Sequence, residues 1–419
     1  MNRRLVLVVL VLVLGQGCSR KAHVVWQQRY DSGRGDFGSS VAADGRDIVV
    51  GGICRDTSAG PSGTTWELLR YDKDGKLLWH RTYDRGRRDS LAAIAVASNH
   101  DIVGVGCSAS NAADTVRLLL ARFSAQGEKK WEKEFAFGPA TRGSALCLDS
   151  AGRIAVCGSV SSGDSLAGSD ILFVRFDSLG SLLDRETLDF GSNEFGQSLV
   201  QDPVGTSAIV AGRRVPRPGE LDSVAARDIV SAGLSPDSGL RWRRRYGSGN
   251  TDLRVCLAWP ANRLENGLYA APSLFLVVTT QDTSGTSSHL VEYSRNYYGT
   301  AVLHDLRYPT APNAVCMAVV TGRDGGILGV GSEDVEGKRQ CLLWRYFRGQ
   351  FATFLPGSGY LPGTDEQANA VALDADGNAV VTGVSGSAGK TGVLTVKVAL
   401  PHYKPLPNID YPRTWSGGH

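Results

Sequence analysis

The chain has 419 residues and a formal net charge of +3, from 45 Lys and Arg against 42 Asp and Glu. A balance this close to neutral argues against a nucleic-acid-binding protein, which needs a basic surface to neutralise phosphates. The 51 Gly and 16 Pro favour an all-β protein with many tight turns, and the 42% apolar content excludes wholesale disorder.

The N-terminus carries a predicted export signal. Residues 1–17 contain two arginines, an apolar run of ten residues and then small residues, and the run is too short for a bilayer core. The sequence Leu14-Gly15-Gln16-Gly17-Cys18 resembles the lipobox of bacterial lipoproteins, although Gly15 stands where that motif usually has Leu. The resemblance implies diacylation of Cys18, a tether over 18–23, and, through Ser19, export to the outer membrane. An ordinary cleaved signal with a chance cysteine is the alternative.

A block of sequence recurs along the rest of the chain at spacings of 52 to 61 residues. Each copy has an acidic or polar residue, an apolar strand, a turn of the Asp-x-x-Gly kind and a second apolar strand. Two further β-forming runs around a turn that ends in Gly follow in most copies. One period therefore predicts four antiparallel strands, A to D. The copies begin at Asp36, Asp89, Arg142, Glu194, Asp252, Asn313 and Glu366.

The two ends of the repeat region complement each other. Residues 24–30 match strand D of a repeat, as in 77–83, whereas the seventh copy ends at 393–400 with a strand C. Four-stranded units with two apolar faces bury those faces when they are repeated radially, and a ring removes open sheet edges. We therefore predict a seven-bladed β-propeller of four-stranded antiparallel blades over 24–400, closed by the N-terminal strand. A Pro-rich tail over 401–419 follows it.

The repeat itself points to a known family. The pattern W-x-x-x-Y…G-x-x-D…V-A-x-D-x-x-G-x-I-x-V-x-G…L-x-R-Y-D-x-x-G resembles the bacterial SBBP-type β-propeller repeats across 24–400. That resemblance implies an exported propeller. It implies no particular reaction or substrate.

The two faces of such a propeller differ in their connections. The A–B and C–D turns are short, as in Asp149–Gly152, and form what we call the tight-turn face. The B–C and D–A connections form the opposite, long-connection face, and its B–C members include Cys54–Thr65, Ser159–Ser169 and Arg213–Arg227. Binding sites are usually built on variable loops, so we expect a ligand on the long-connection face or in the mouth of the central channel.

Two motifs resemble ligand sites, and we assign neither of them as one. Asp374-Ala-Asp376-Gly377-Asn378 resembles the opening of a calcium loop but lacks the later acidic ligands, and a hairpin turn alone explains it. Residues 386–391 resemble a phosphate loop, but Val384 replaces its first Gly and a strand follows instead of a helix. No metal and no cofactor is predicted. No catalytic residue is assigned either, since the histidines are scattered and no nucleophile motif occurs.

Seven cysteines remain after Cys18, with no C-x-x-C pair and no His at zinc-like spacing. Four fall inside predicted strands and are interpreted as small hydrophobic residues. A disulfide between Cys54 and Cys107 is conceivable, and the odd count leaves at least one thiol free or paired outside the chain. Buried free thiols are the favoured interpretation. The four within strands are Cys147, Cys157, Cys256 and Cys316.

Two further clusters have a structural and a functional interpretation. Trp79, Trp131 and Trp242 recur on strand D, where we favour packing between blades over a quinoprotein-like element. Arg241 and Arg243–Arg245 form a basic run on an outer strand, where we favour a solvated face over an anion site.

These observations predict a monomeric β-propeller of the bacterial cell envelope, facing the periplasm or in the outer membrane. It would contact the membrane only through the lipid on Cys18 and bind no nucleic acid. Its predicted role is that of a binding or scaffold module for an envelope protein or glycan, acting through the long-connection face. The alternative is an envelope enzyme, either a quinoprotein-like oxidoreductase or a polysaccharide hydrolase or lyase that uses carboxylates of that face.

Overall fold

The computed structural model describes residues 22–401, except for 56–62, 86, 110–114, 162–167, 202–207, 217–227, 236–238, 249, 259–273, 294–301, 308–312, 323, 336, 348–349, 356–364 and 388–389. The signal over 1–17, Cys18, most of the tether and the tail from 402 onward lie outside the described residues. So do the central parts of the three long B–C connections. Within the described part, no helix is long and apolar enough to cross a membrane.

The described residues form strands joined by turns, which confirms the all-β class. The first strands are β1 (His23–Tyr30), β2 (Asp36–Asp44), β3 (Asp47–Arg55), β4 (Thr64–Tyr71), β5 (Leu77–Tyr83), β6 (Arg88–Val96), β7 (Ile102–Ala109), β8 (Val116–Phe123), β9 (Lys129–Phe135), β10 (Ala140–Leu148), β11 (Ile154–Ser161), β12 (Ser169–Phe176), β13 (Leu182–Leu188) and β14 (Asn193–Gln201). The others are β15 (Ala208–Val215), β16 (Asp228–Ser235), β17 (Gly239–Tyr246), β18 (Thr251–Ala258), β19 (Leu274–Asp282), β20 (Gly285–Tyr293), β21 (Val302–Arg307), β22 (Val315–Thr321), β23 (Ile327–Val335), β24 (Lys338–Phe347), β25 (Gln350–Leu355), β26 (Asp365–Leu373), β27 (Ala379–Ser387) and β28 (Lys390–Ala399).

The strands pair in antiparallel groups of four that follow the sequence order. The groups are β2–β5, β6–β9, β10–β13, β14–β17, β18–β21 and β22–β25, and a further one joins β26–β28 to β1. Single parallel contacts, Thr64 with Arg88 and Val116 with Ala140, connect the first three groups into one twelve-stranded sheet. In the last group β1 lies antiparallel to β28, with Tyr30 opposite Val393, so the first strand of the chain completes a sheet made by the last three.

The core lies between the groups. Each four-stranded group has two apolar faces, and the buried clusters combine the facing surfaces of sequence neighbours. One such cluster contains Leu68 of β4 and Leu119 of β8, and another joins Trp26 of β1 to Leu69 of β4. Strands in the middle of a group are therefore buried throughout, as in β11, whereas outer strands such as β5 are exposed on one side.

Tryptophans of outer strands dock onto glycine turns of the next group. A Cβ built on Gly127 would lie 3.0 Å from the Trp79 ring, and one built on Gly180 would lie 2.8 Å from the Trp131 ring. The Trp79 Nε1–H also donates to Ala125 O at 3.2 Å. Trp242 differs, because it packs into the apolar cluster shared with β18–β20. These contacts agree with the packing interpretation of the repeated tryptophans.

Candidate functional site

On the tight-turn face, carboxylates are paired with cations. Within single groups, Asp44 pairs with Arg70 at 2.7 Å and Asp101 with Arg122 at 2.9 Å. A third pair, Asp374 with Lys397 at 2.7 Å, contains the acidic residue that opens the calcium-like sequence. These pairs link the A–B turn of a group to its third strand.

Asp374 is also occupied by its own turn. Its Oδ1 accepts the backbone N–H groups of Asp376 and Asn378, both at 2.9 Å. Burial opposes its ionisation, but the bonds from Lys397 and from Asn378 outweigh burial and hold the pKa below its usual value. The residues that resemble a calcium loop therefore build a hairpin. The phosphate-loop-like sequence likewise runs into a strand, because β28 begins at Lys390.

On the long-connection face, buried carboxylates stand near the start of strand A. They hold the D–A connections, since Asp36 Oδ2 accepts the Ser32 N–H at 2.6 Å and Glu194 Oε1 accepts the Ser192 N–H at 2.9 Å. The third group uses a hydroxyl for the same task, with Thr141 Oγ1 accepting from Phe137. The buried carboxylates at this position are Asp36, Asp89, Glu194, Asp252 and Glu366.

Several carboxylates of this face have raised pKa values, in contrast to the lowered pKa of Asp374 at a tight turn. Burial raises the pKa of Glu366, and it raises the pKa of Asp89 despite opposing contributions from Ser108 and Arg85. Glu194 follows the same direction, also because of burial. Oε2 of Glu194 and Oε1 of Glu366 have no hydrogen-bond partner among the described residues. Burial therefore shifts these three carboxyl groups toward the protonated form.

A mixed cluster lies in the first group, β2–β5. Ligand atoms of Asp36, Cys54 and Glu67 lie within 4.8 Å of one another, and all three residues are fully buried. His80 Nε2 is 3.0 Å from Glu67 Oε1, and the Tyr30 hydroxyl is 2.9 Å from His80 Nδ1. We call Asp36, Cys54, Glu67 and His80 the β2–β5 cluster, and Tyr30 of β1 contacts it.

No sequence motif predicted this cluster. From Asp36 to His80 its successive members are 13 to 18 residues apart, so that no short motif contains them. Strand register brings them together, with Asp36 opposite Cys54 and Glu67 on the next strand. The available signal was Glu67 itself, because a charged residue interrupts an apolar strand whose counterparts carry Leu119 and Leu172.

A second, all-oxygen cluster lies between the third and fourth groups. Carboxylate oxygens of Asp170, Asp189 and Glu194 lie within 4.8 Å of one another, with Glu194 buried and Asp189 exposed. Oxygen donors of this kind suit hard cations. Sequence analysis did not assemble these three residues either, since they lie on β12, on the D–A connection and on β14.

An arginine-lined cleft adjoins this cluster. A cavity of about 490 Å³ is lined by Asp189, Phe190 and Gly191 of a D–A connection and by Arg243–Arg245 of β17. Arg241, Arg243 and Arg245 are exposed, as expected of a solvated face, and Arg245 pairs with Asp228. The arginines offer guanidinium groups to an anion, although Arg245 is already paired with Asp228 and the Asp189 carboxylate lines the same cleft.

All seven cysteines that the structure describes are outside disulfide bonds, so Cys54 and Cys107 do not form the conceivable pair. Burial raises the pKa of the Cys147 thiol to about 12 and raises that of Cys157 further. Raised values mark thiols that do not react as thiolates at neutral pH. These two fit the interpretation of cysteine as a small hydrophobic residue.

Comparisons with known proteins define the class of fold. No family model matches the sequence, and no curated protein is significantly similar to it. The structure is similar to the extracellular domains 1–2 of Drosophila Semaphorin 1a (9% identity, TM-score 0.53, 88% of this chain and 87% of that one). It is also similar to the polysaccharide lyase Uly1 (12% identity, TM-score 0.51, 86% and 89%).

A puromycin-hydrolyzing peptidase of Mycobacterium tuberculosis is a further neighbour (15% identity, TM-score 0.52, 91% of this chain and 55% of that one). The chain therefore spans about half the length of that peptidase. Identities this low carry information on fold alone. The structural neighbours are β-propeller proteins, and with the curled sheets they define this chain as an all-β protein of the propeller type.

Proposed function

We propose that the chain is a lipid-anchored propeller of the bacterial cell envelope, of the SBBP-repeat kind, that binds an anionic group of an envelope protein or glycan on its long-connection face. The observation that carries the binding role is the cleft lined by Arg243–Arg245. Guanidinium groups match the geometry of carboxylate, phosphate and sulfate, and a rigid sheet edge holds them in place.

In this proposal the propeller has seven blades and acts as a closed monomeric ring. The antiparallel pairing of β1 with β28 supports closure, because it joins the two ends of the chain in one four-stranded group. The Trp26 indole supports it further. It donates to Lys73 O at 3.0 Å and packs against Gly75, as Trp79 and Trp131 do in other groups.

The proposed anchor orients the two faces. β1 begins at His23 on the tight-turn side, and the five residues 18–22 of an extended tether reach only about 17 Å. A lipid on Cys18 would therefore keep the tight-turn face near the bilayer. Large apolar side chains are exposed at this end of the outer strands, including Val25 at 48%, Leu179 at 67% and Leu183 at 53%. The long-connection face would then point away from the membrane, toward a partner.

Native mass spectrometry of the full chain, extracted in mild detergent from its own membranes, tests the proposal. We expect a chain that begins at Cys18 with a diacylglycerol addition and carries a co-purifying partner. Arg243→Gln should lose the partner, whereas Arg241→Gln, an exposed arginine of the same strand outside the cleft, should keep it. An unlipidated chain would contradict the anchor, and a partner retained by Arg243→Gln would contradict the binding site.

The enzyme alternative rests on the carboxylates beside the cleft. The pKa of Glu194 is raised by burial, and Asp170 and Asp189 lie nearby, a combination that suits proton transfer on a polysaccharide. If this alternative holds, Glu194→Gln abolishes turnover of a uronic-acid polysaccharide such as alginate while binding persists. Binding without turnover by the wild-type protein would favour the module. The quinoprotein version stays a prediction, and a bound mass with a quinone's absorbance would support it.

A further inference from the structure

The β2–β5 cluster contains a buried carboxylate that contacts His80 but forms no hydrogen bond. Glu67 is fully buried, and neither of its carboxylate oxygens has a hydrogen-bond partner among the described residues. Its Oε1 faces His80 Nε2 at 3.0 Å, yet Nε2 also lacks a hydrogen bond, so the two atoms approach without the geometry of one. Leaving such groups unsatisfied in the interior destabilises the folded chain. Two electron-pair donors placed in this way are arranged as two ligands of one ion.

The second ring nitrogen of His80 also supports the interpretation as an ion site. The Tyr30 hydroxyl lies 2.9 Å from His80 Nδ1. A metal-binding histidine commonly uses its second nitrogen to bond a neighbouring acceptor, which fixes the tautomer and the orientation of the ring. With Nε2 on a metal, the Nδ1–H group would donate to the Tyr30 oxygen.

The cluster also departs from the repeat. At the position of Cys54, opposite the acidic residue of strand A, the next group has Ser108, which lies opposite Asp89. Alignment on Arg70 and Arg122 places Leu119 at the position of Glu67. A propeller blade needs neither a thiol nor a buried Glu at these positions. The substitutions in the first group therefore call for an explanation besides folding.

We infer that Asp36, Cys54, Glu67 and His80 form a Zn²⁺ site. A thiolate, an imidazole and carboxylate oxygens are the donors that zinc takes, and soft sulfur argues against calcium or magnesium. Ligand atoms of Asp36, Cys54 and Glu67 lie within 4.8 Å of one another, and His80, whose Nε2 is 3.0 Å from Glu67 Oε1, would move in as the fourth ligand of a closed structural site. Zinc binding converts the Cys54 thiol to a thiolate and releases its proton to solvent.

Such a site goes beyond the proposed binding role. Zinc would offset two of the three negative charges carried by Asp36, Glu67 and the Cys54 thiolate and would tie the four strands of the group together. Through Tyr30 on β1 it would also reinforce the contact between the last group and the first. The site would therefore stabilise the closing contact of the ring.

The test uses the purified full chain, stripped with chelator and dialysed against zinc. Elemental analysis should give about one zinc per chain for wild type and for Cys107→Ser, a control on the next group, and less than about a tenth of that for Cys54→Ser and His80→Gln. Tyr30→Phe should weaken zinc binding about 10–100-fold. Cobalt in place of zinc should give tetrahedral visible bands and a thiolate-to-cobalt charge-transfer band, which Cys54→Ser abolishes.

A stability measurement on a further variant tests the zinc site even if the cysteine or histidine variants fold poorly. Glu67→Leu installs the residue of the equivalent position in the second group. We expect it to raise Tm in chelator, since a buried charge is removed, but to lose the rise in Tm that zinc gives the wild-type protein. A folded wild-type chain that binds no zinc would overturn the site. Zinc content unchanged by Cys54→Ser and His80→Gln would do the same.

Discussion

The pKa of a carboxylate is shifted in opposite directions at the two ends of β26. At the tight-turn end, Asp374 pairs with Lys397 and accepts two turn amides, and its pKa is lowered by these partners against the effect of burial. At the long-connection end, Glu366 is just as deeply placed, has an oxygen without a partner among the described residues, and has a pKa raised by burial.

The same contrast in pKa shifts is found in other four-stranded groups. Asp101 and Asp149 on the tight-turn face have lowered pKa values, because bonds from Lys130 and Arg153 respectively outweigh burial. Glu67 and Glu194 on the opposite face have raised values, mainly through burial. Ion pairs thus compensate the carboxylates within single groups at the tight-turn face. The other face keeps carboxylates without full compensation, which is the condition of groups that meet a ligand or an ion.

The largest loss of stability is expected from breaking the ion pair between Asp374 and Lys397 on the tight-turn face. Asp374→Asn leaves the Lys397 ammonium, whose side chain is 4% exposed, without its carboxylate. Removing one partner of a buried ion pair typically costs about 3–5 kcal/mol. Asp376→Asn is the matched control, because its pair with Arg46 is exposed on both sides and should change stability by less than about 1 kcal/mol. Thermal unfolding of both variants measures the contrast, and equal losses would refute it.

Alanine substitutions in two glycine turns of the tight-turn face should show how much the packing of an outer-strand tryptophan contributes to stability. Gly180 and Gly152 have nearly equal positive φ, +74° and +76°, but only Gly180 faces a Trp131 ring. Alanine at either site suffers the left-handed backbone, about 1–2 kcal/mol. At Gly180 the displaced ring should add about 1–3 kcal/mol. Urea unfolding compares the two variants, and indistinguishable midpoints would show that the ring contact contributes little.

The smallest effect is expected at the other end of β26, and it depends on pH. Because the folded pKa of Glu366 is raised, the native state keeps a proton that the unfolded chain has already released, so stability falls as pH rises from the ordinary glutamate range through the raised value. Glu366→Gln should remove that loss and gain about 1 kcal/mol at pH 8, with no gain at pH 4. A variant that is less stable at pH 8 would contradict an unpaired charge.

The contribution of Asp374 to stability should change with pH in the opposite direction. Its folded pKa is lowered, so its contribution is present above the ordinary aspartate pKa and is lost as pH falls through the folded value. Both variants should therefore converge on wild type at low pH, where the carboxyl groups are protonated, and diverge from it in opposite directions as pH rises, with Asp374→Asn less stable and Glu366→Gln more stable than wild type. Tm shifts of the same sign at pH 8 would contradict the comparison of the two faces.

Much of the fold could be predicted from the sequence, because repetition and period-two burial are local signals. The four-strand period and the match of 24–30 to strand D both agree with the observed pairing of β1 with β28. The sites could not be predicted in the same way. Cys54, Glu67 and His80 meet through the register of three strands, and the Arg243–Arg245 wall becomes a cleft only when Phe190 of the preceding group lies beside it.

In the proposed orientation, the tight-turn face lies toward the membrane and the long-connection face binds the partner. Site-specific photo-crosslinking in intact cells tests it most directly, with the crosslinker at position 243 in the cleft or at position 179, an exposed site on the tight-turn face. We predict crosslinks to a protein or glycan from position 243 and to lipid alone from position 179. A partner captured from position 179 and not from position 243 would contradict the account.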